Sequence, residues 1–274
     1  MRTNPTKQAL RAKRHVVYVQ AHFPSPELVE FLGHLGFDGV FLDAEHGGLD
    51  LGRAQELIRA ADCSGITTLL RVPRNEPATI LSYLDLGASG GLVPHVRTRD
   101  EAIAAVQSAK FGPDGHRGAH AATRAASYGL HGNAAAYFEH ANRETLVAVM
   151  IEDVLALDNL EGILATPDLD LCILGREDLA MGFGHPGQPD HPDVRRATDL
   201  ILKTAQGRTA IGVTAPDATM VPDLFARGFQ LVTVSAAKLL ATASRHVLAL
   251  TGRSPESVSA VSVYAPPPGT SSEV

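Results

Sequence analysis

The sequence predicts a (β/α)8 barrel. Three observations carry that expectation. Short apolar runs alternate with amphipathic stretches, which implies parallel strands joined by crossover helices. Eight such pairs fit within about 250 residues, the usual extent of a (β/α)8 barrel. No G-x-G-x-x-G follows the first apolar run, as a doubly wound nucleotide-binding sheet would require.

The strands are expected at residues 15–20, 39–43, 67–72, 91–96, 146–151, 171–175, 209–214 and 230–235. Helical patterns fall near 26–35, 50–63, 76–86, 98–110, 154–165, 194–206, 216–227 and 236–251. Ser25-Pro26 reads as an N-cap with proline in the first turn, and Thr98 to Glu101 as a capping box. Two stretches break the rhythm. The Gly/His-rich segment 111–133 is longer than a simple helix-to-strand connection and suits a functional loop or a subunit contact. The segment 182–193 suits a cap on a barrel mouth. Residues 1–14 read as an N-terminal extension, 15–252 as a single barrel domain, and the Ser/Pro/Val-rich 253–274 as a flexible tail.

Composition narrows the function. A net charge of −6, from 24 basic against 30 acidic residues, offers no footprint for nucleic acid or an acidic membrane. Cys63 and Cys172 lie far apart in apolar segments, which excludes a disulfide scaffold or a cysteine metal cage and fits a reducing cytoplasm. The apolar run 16–19 is too short for a signal or a membrane span.

In such a barrel the active site lies at the C-terminal ends of the strands. There the sequence places Asp43, Glu45 and His46 at the end of the second strand, Arg71 at the end of the third and Pro94-His95 at the end of the fourth. Glu152 and Asp153 follow the fifth, and Gly175, Arg176, Glu177 and Asp178 the sixth. Glu152 and Asp178 on neighbouring strand ends suit a divalent ion such as Mg2+, Mn2+ or Co2+, although either alone is equally a helix-start acid. His46, flanked by acids and followed by glycines, suits an exposed acid–base group with Asp43 orienting it. Arg71 ends an apolar strand and needs an anion: a substrate, or Asp43 or Glu45.

At these residues the chain becomes recognisable. FDGVFLDAEHG, LLRVPRNEP, LDLGASGGLVPHV, GHRG, IEDVLALDNLEGI and LGREDLAMGFG occur in register and resemble class II pyruvate-dependent aldolases of the 2,4-dihydroxyhept-2-enedioate (HpcH/HpaI) family. The resemblance spans roughly residues 15 to 250. It implies a metal-dependent lyase that reversibly cleaves a 4-hydroxy-2-oxo acid to pyruvate and an aldehyde. It also implies a homo-oligomer, a hexamer built as a trimer of dimers, with swapped C-terminal helices. Carried over by residue, Glu152 and Asp178 are the metal ligands, Arg71 binds the keto acid and its enolate, and His46 with Asp43 form the acid–base pair. Glu45 and Asp85 support them, and the turn at Gly175, Arg176 and Glu177 holds the pyruvate carboxylate.

Three departures mark this chain. Met150 stands where the family has a glutamine, Arg176 replaces a proline, and 235–237 lack an aspartate. Met150 shares a strand face with Glu152, so it either borders substrate or fills the core. Arg176, as an added cation, keeps open a related lyase, synthase or decarboxylase acting on oxaloacetate or a citrate-like acid. A silent barrel serving as a binding scaffold is a further alternative. A Schiff-base mechanism is disfavoured, since Lys7, Lys13, Lys110, Lys203 and Lys238 all lie outside the expected strands.

Overall fold

The computed structural model describes residues 3–130 and 132–252, so the expected tail at 253–274 lies outside the described residues. Eight parallel strands close into a barrel in chain order. They are β1 (Val16–Gln20), β2 (Gly39–Asp43), β3 (Thr67–Arg71), β4 (Gly90–Val93), β5 (Leu146–Ile151), β6 (Leu171–Leu174), β7 (Ala210–Thr214) and β8 (Leu231–Ser235). Closure is made by β1 and β8, which pair from Val16↔Leu231 to Gln20↔Ser235.

Helix α1 (Pro5–Arg11) precedes the barrel, and α2 (Pro26–His34), α3 (Leu51–Ser64) and α4 (Pro77–Asp85) follow β1, β2 and β3. Between β4 and β5 lie α5 (Arg99–Ala109) and α6 (Ala134–Glu144). The short α7 (Leu155–Asp158) and α8 (Leu160–Leu164) follow β5, α9 (Arg176–Gly182) and α10 (Pro192–Ala205) follow β6, α11 (Val221–Ala226) follows β7, and α12 (Ala236–Leu250) follows β8. The expected starts are present: Ser25 Oγ accepts the Leu28 N–H at 3.2 Å, and Thr98 and Glu101 complete a capping box.

The structure departs from the expected elements in three places. β4 stops at Val93, because Pro94 has no N–H to extend the ladder and His95 turns into the left-handed region at φ 55°. That turn brings His95 back over the barrel mouth. The long 111–133 connection runs into α6, capped by Asn133 Oδ1 on the Ala135 N–H at 2.7 Å. Helix α9, which was not among the expected helical patterns, starts directly after β6 and takes Glu177 and Asp178 into its first turn, the helix-start position allowed for Asp178.

The N-terminal extension is also structured. Ala9 and Leu10 of α1 join the inward side chains Tyr18, Phe41, Leu69, Leu92, Ala148 and Met150 in one core, so α1 plugs the N-terminal end of the barrel. Tyr18 reaches down to Thr6 and Thr67, with 2.7 Å between its hydroxyl and each Oγ1, and burial pushes its phenol up to about 12. Gly39 makes room for that ring, since a Cβ there would sit 2.3 Å from it. Lys7, itself buried, donates to the Thr145 carbonyl and pairs with Asp170, both at 2.8 Å.

The chain divides into two compact units, Met1–Ala237, which holds the whole barrel, and Lys238–Val274, of which the described part is the rest of α12. Among the described residues no helix is long and apolar enough to cross a membrane.

Candidate active site

The register of the parallel strands sets the site. Asp43 lies opposite Arg71 where β2 and β3 end, so the two side chains leave the barrel together. Asp43 Oδ1 accepts from Arg71 Nε at 3.0 Å and Oδ2 from Nη2 at 2.5 Å, a two-point clamp that suits a planar guanidinium. Glu45 Oε2 lies 3.2 Å from Arg71 Nε, and the guanidinium sits 5.7 Å above the Phe41 ring. Burial raises the Asp43 carboxyl, but Arg71 and the backbone N–H groups of His46 and Glu45 outweigh it, and the net shift is downward. The internal partner considered for Arg71 is therefore present.

The structure corrects one expected contact. Asp43 does not face the His46 imidazole; its Oδ1 accepts the backbone N–H groups of Glu45 at 3.0 Å and His46 at 3.2 Å. The carboxylate turned toward the ring is Glu45, with Oε2 3.7 Å from His46 Nε2, and the His46 side chain is 65% exposed.

His95, noted at its strand end but given no role from sequence, bridges the two halves of the mouth. Its backbone N–H donates to Glu152 Oε1 at 2.8 Å, its Nδ1 lies 3.3 Å from that oxygen, and its Nε2 lies 3.0 Å from Glu45 Oε1. The signal missed was local: Pro94 has no N–H for the ladder and so marks the strand end immediately before His95.

Glu152 is 1% exposed, and its Oε2 is buried without a hydrogen-bond partner. Burial raises its pKa, the His95 contacts oppose this, and the charges of Asp178 and Glu45 add to the rise. Asp43, Glu45 and Glu152 act on one arginine, and the exposed Asp178 adds its charge to Glu152, an excess of negative charge that a divalent cation would balance. A buried, partnerless carboxylate oxygen on which the charge of a second acid, Asp178 of α9, acts fits a hard cation with oxygen ligands.

Gly175 is required for that carboxylate. A Cβ at this position would lie 2.5 Å from Glu152 Cβ and 2.7 Å from its Oε2. Gly175→Ala should displace Glu152 and lower stability by about 1–3 kcal/mol, the usual cost of overpacking, measured by denaturant unfolding with and without Mg2+. The Gly175 N–H itself is bonded to the Ile151 carbonyl at 3.1 Å, so the free N–H groups of this turn belong to the residues that open α9.

Three expected participants lie differently. Arg176 Nη1 is 3.1 Å from Asp190 Oδ1, so its guanidinium is held toward the α9–α10 connection and not beside Arg71. Glu177 is exposed in the first turn of α9. Asp85 ends α4 just before β4 begins, at the opposite end of the barrel, where it pairs with Arg117 at 2.6 Å. Met150 is buried, with Sδ 3.4 Å from Arg71 Nη1, and so forms part of the floor beneath the guanidinium.

Comparison with known proteins bears on this arrangement. The model of the HpcH/HpaI aldolase/citrate lyase family matches residues 14–242. The chain belongs to that family. Among similar relatives, a 5-keto-4-deoxy-D-glucarate aldolase of Shigella boydii serotype 18 is 36% identical over 215 residues, 78% of this chain and 82% of the relative. A solved HpcH/HpaI aldolase/citrate lyase family protein from Burkholderia cenocepacia J2315 superposes with TM-score 0.86 at 32% identity, covering 92% of this chain and 100% of the other. An HpcH/HpaI aldolase from Desulfitobacterium hafniense DCB-2 gives TM-score 0.83 at 26% identity, covering 91% and 97%. As a member of the HpcH/HpaI family the chain is a carbon–carbon lyase of the metal-dependent aldolase type.

Both buried lysines support that assignment. Lys7 contacts Thr145 and Asp170, and Lys110 donates to the Asn142 carbonyl, all at the N-terminal end of the strands. Burial pushes the Lys110 amine down to about 8, yet it lies at the far end of the barrel from Arg71.

Proposed function

We propose that the protein cleaves a 4-hydroxy-2-oxo acid to pyruvate and an aldehyde, reversibly, with Glu152 and Asp178 holding the divalent ion. The observation that carries this is the buried Glu152 carboxylate, partnerless at Oε2, with the charges of Asp178 and Glu45 acting on it. When bound, such an ion supplies Lewis acidity at a carbonyl oxygen.

The chain's own residues do the rest. Arg71, fixed by Asp43 and Glu45, presents a preorganised cation to the 2-oxo group, where negative charge builds as the C3–C4 bond breaks. The start of α9 faces the substrate carboxylate, with Gly175 clearing the space. His46 takes the proton from the C4 hydroxyl and returns one to C3, its ring lying beside Glu45. His95, 3.0 Å from Glu45 and 3.3 Å from Glu152, sits between the two acids and holds them in place. Met150 gives the floor a thioether, a weak acceptor, in place of an amide.

The oxaloacetate or citrate alternative rested on an added cation at Arg176, and the pairing of that side chain with Asp190 turns it toward the α9–α10 connection and removes that motive. Removing divalent ions with a chelator should abolish aldol cleavage, and adding Mg2+, Mn2+ or Co2+ should restore it. Borohydride with pyruvate should trap no adduct; a covalent adduct at Lys110 or any other lysine, seen by mass spectrometry, would overturn the metal-dependent reading.

We further propose a homo-oligomer, a trimer of dimers. The long 111–133 connection and Asp85, placed far from its own barrel mouth, suit a site completed by subunit contacts. Light scattering should give six chains; a fully active monomer would contradict it.

A further inference from the structure

The connection between α9 and α10 carries a second group of metal-ligating side chains. His185, His191 and Asp193 each present one ligand atom, and these atoms all lie within 4.8 Å of one another. Asp193 Oδ2 is 3.0 Å from His185 Nε2 and 3.3 Å from His191 Nδ1. A tetrahedral Zn2+ with bonds of about 2.0–2.1 Å spaces its ligand atoms by about 3.3–3.4 Å, so these separations are close to those of a closed site.

The His191 Nδ1 accepts the Asp193 backbone N–H at 3.3 Å, so an ion bound there would take over the lone pair that now caps α10. A further feature favours a cation. The other Asp193 oxygen is taken by Arg196, which fixes the carboxylate so that Oδ2 points at both imidazoles, as an outer-shell partner orients a ligand. The two rings stack with centroids 3.4 Å apart, so one ring must tilt for both to direct an in-plane nitrogen at a shared ion.

We propose that His185, His191 and Asp193 form a second metal site, suited to Zn2+ and separate from Glu152 and Asp178. Two imidazoles and one carboxylate select a borderline transition metal, whereas the all-carboxylate pair in the mouth selects a hard ion, so the two sites differ in preference as well as position. The site closes the 183–193 loop directly behind α9: the His185 N–H is bonded to the Ala180 carbonyl at 2.8 Å, and Asp193 lies in the first turn of α10. Its occupant therefore fastens the helix whose first turn holds Asp178. This inference does not depend on which substrate the mouth accepts.

The test uses the full chain, stripped of metal, saturated with excess Mg2+ and then dialysed against Zn2+ with metal analysis. Wild type should retain one Zn2+ per chain. His185→Asn, which leaves the His191 cap intact, should weaken retention at least about tenfold, since even outer-shell partners are worth that much. Glu152→Gln should retain the Zn2+. Unchanged Zn2+ affinity in His185→Asn, or loss confined to Glu152→Gln, would overturn the proposal. Should His185→Asn fail to fold, amide hydrogen exchange of wild type decides: Zn2+ should slow exchange at residues 183–193, and no protection there rejects the site.

Discussion

Arg71→Ala should reduce aldol cleavage by about 10²–10³-fold, the loss found when one preorganised oxyanion donor is removed. The same change should also destabilise the fold. The Arg71 side chain is 9% exposed, and removing it leaves Asp43 and Glu45 facing each other without a cation. Breaking a buried pair in this way costs about 3–5 kcal/mol. Arg71→Lys separates the two effects, because it keeps the charge but loses the two-point clamp on Asp43. Denaturant unfolding should show most of the stability restored in Arg71→Lys, while turnover stays low. Near-normal turnover in Arg71→Lys would show that charge alone suffices and that the guanidinium geometry is dispensable. Acid should probe the same pair. The Asp43 carboxyl titrates below its unfolded value, so its contribution is present above the unfolded pKa and is lost as pH falls through the lowered one.

Much of this site was legible because strand ends are legible. A polar residue that closes an apolar run must emerge at the barrel rim, which is why Asp43, Arg71, Glu152 and Gly175 could be placed from sequence. What the sequence could not show was which neighbours would claim each polar atom. Asp43 lies two and three residues from Glu45 and His46, and at that spacing an aspartate caps backbone N–H groups more readily than it meets an imidazole. Arg176 read as an added cation at the carboxylate site because its partner Asp190 lies beyond α9, and pairing across a loop leaves no local pattern. His95 was hidden by the turn that makes it useful: the strand pattern ran on to residue 96, and only the structure shows the break at Pro94. Helix α1 was missed for a related reason. A basic, polar segment does not read as a barrel plug until its few apolar residues, Ala9 and Leu10, are seen against the strand interior.

Glu152→Gln should lower turnover by about 10³-fold or more, yet it should not weaken the metal-free fold. The first effect follows from its place as the buried half of the proposed ligand pair; several kcal/mol of charge stabilisation depend on that pair, and each 1.36 kcal/mol is tenfold in rate. The second follows from the direction of its titration. Burial raises the Glu152 carboxyl above its unfolded value, and Asp178 and Glu45 add to the rise. Between the unfolded and raised values the folded chain binds more protons than the unfolded chain. Metal-free stability therefore declines as pH rises through that window, and the cost is complete above it. A neutral glutamine of the same shape removes the charge and keeps an acceptor for the His95 N–H now bonded at 2.8 Å. Urea unfolding of the metal-free protein from pH 4 to pH 8 should show this decline in wild type and its loss in Glu152→Gln. Adding Mg2+ should stabilise wild type at neutral pH, by mass action on the folded state alone, and leave Glu152→Gln unmoved. Equal stabilisation of both proteins by Mg2+ would place the ion elsewhere and remove Glu152 from the metal site.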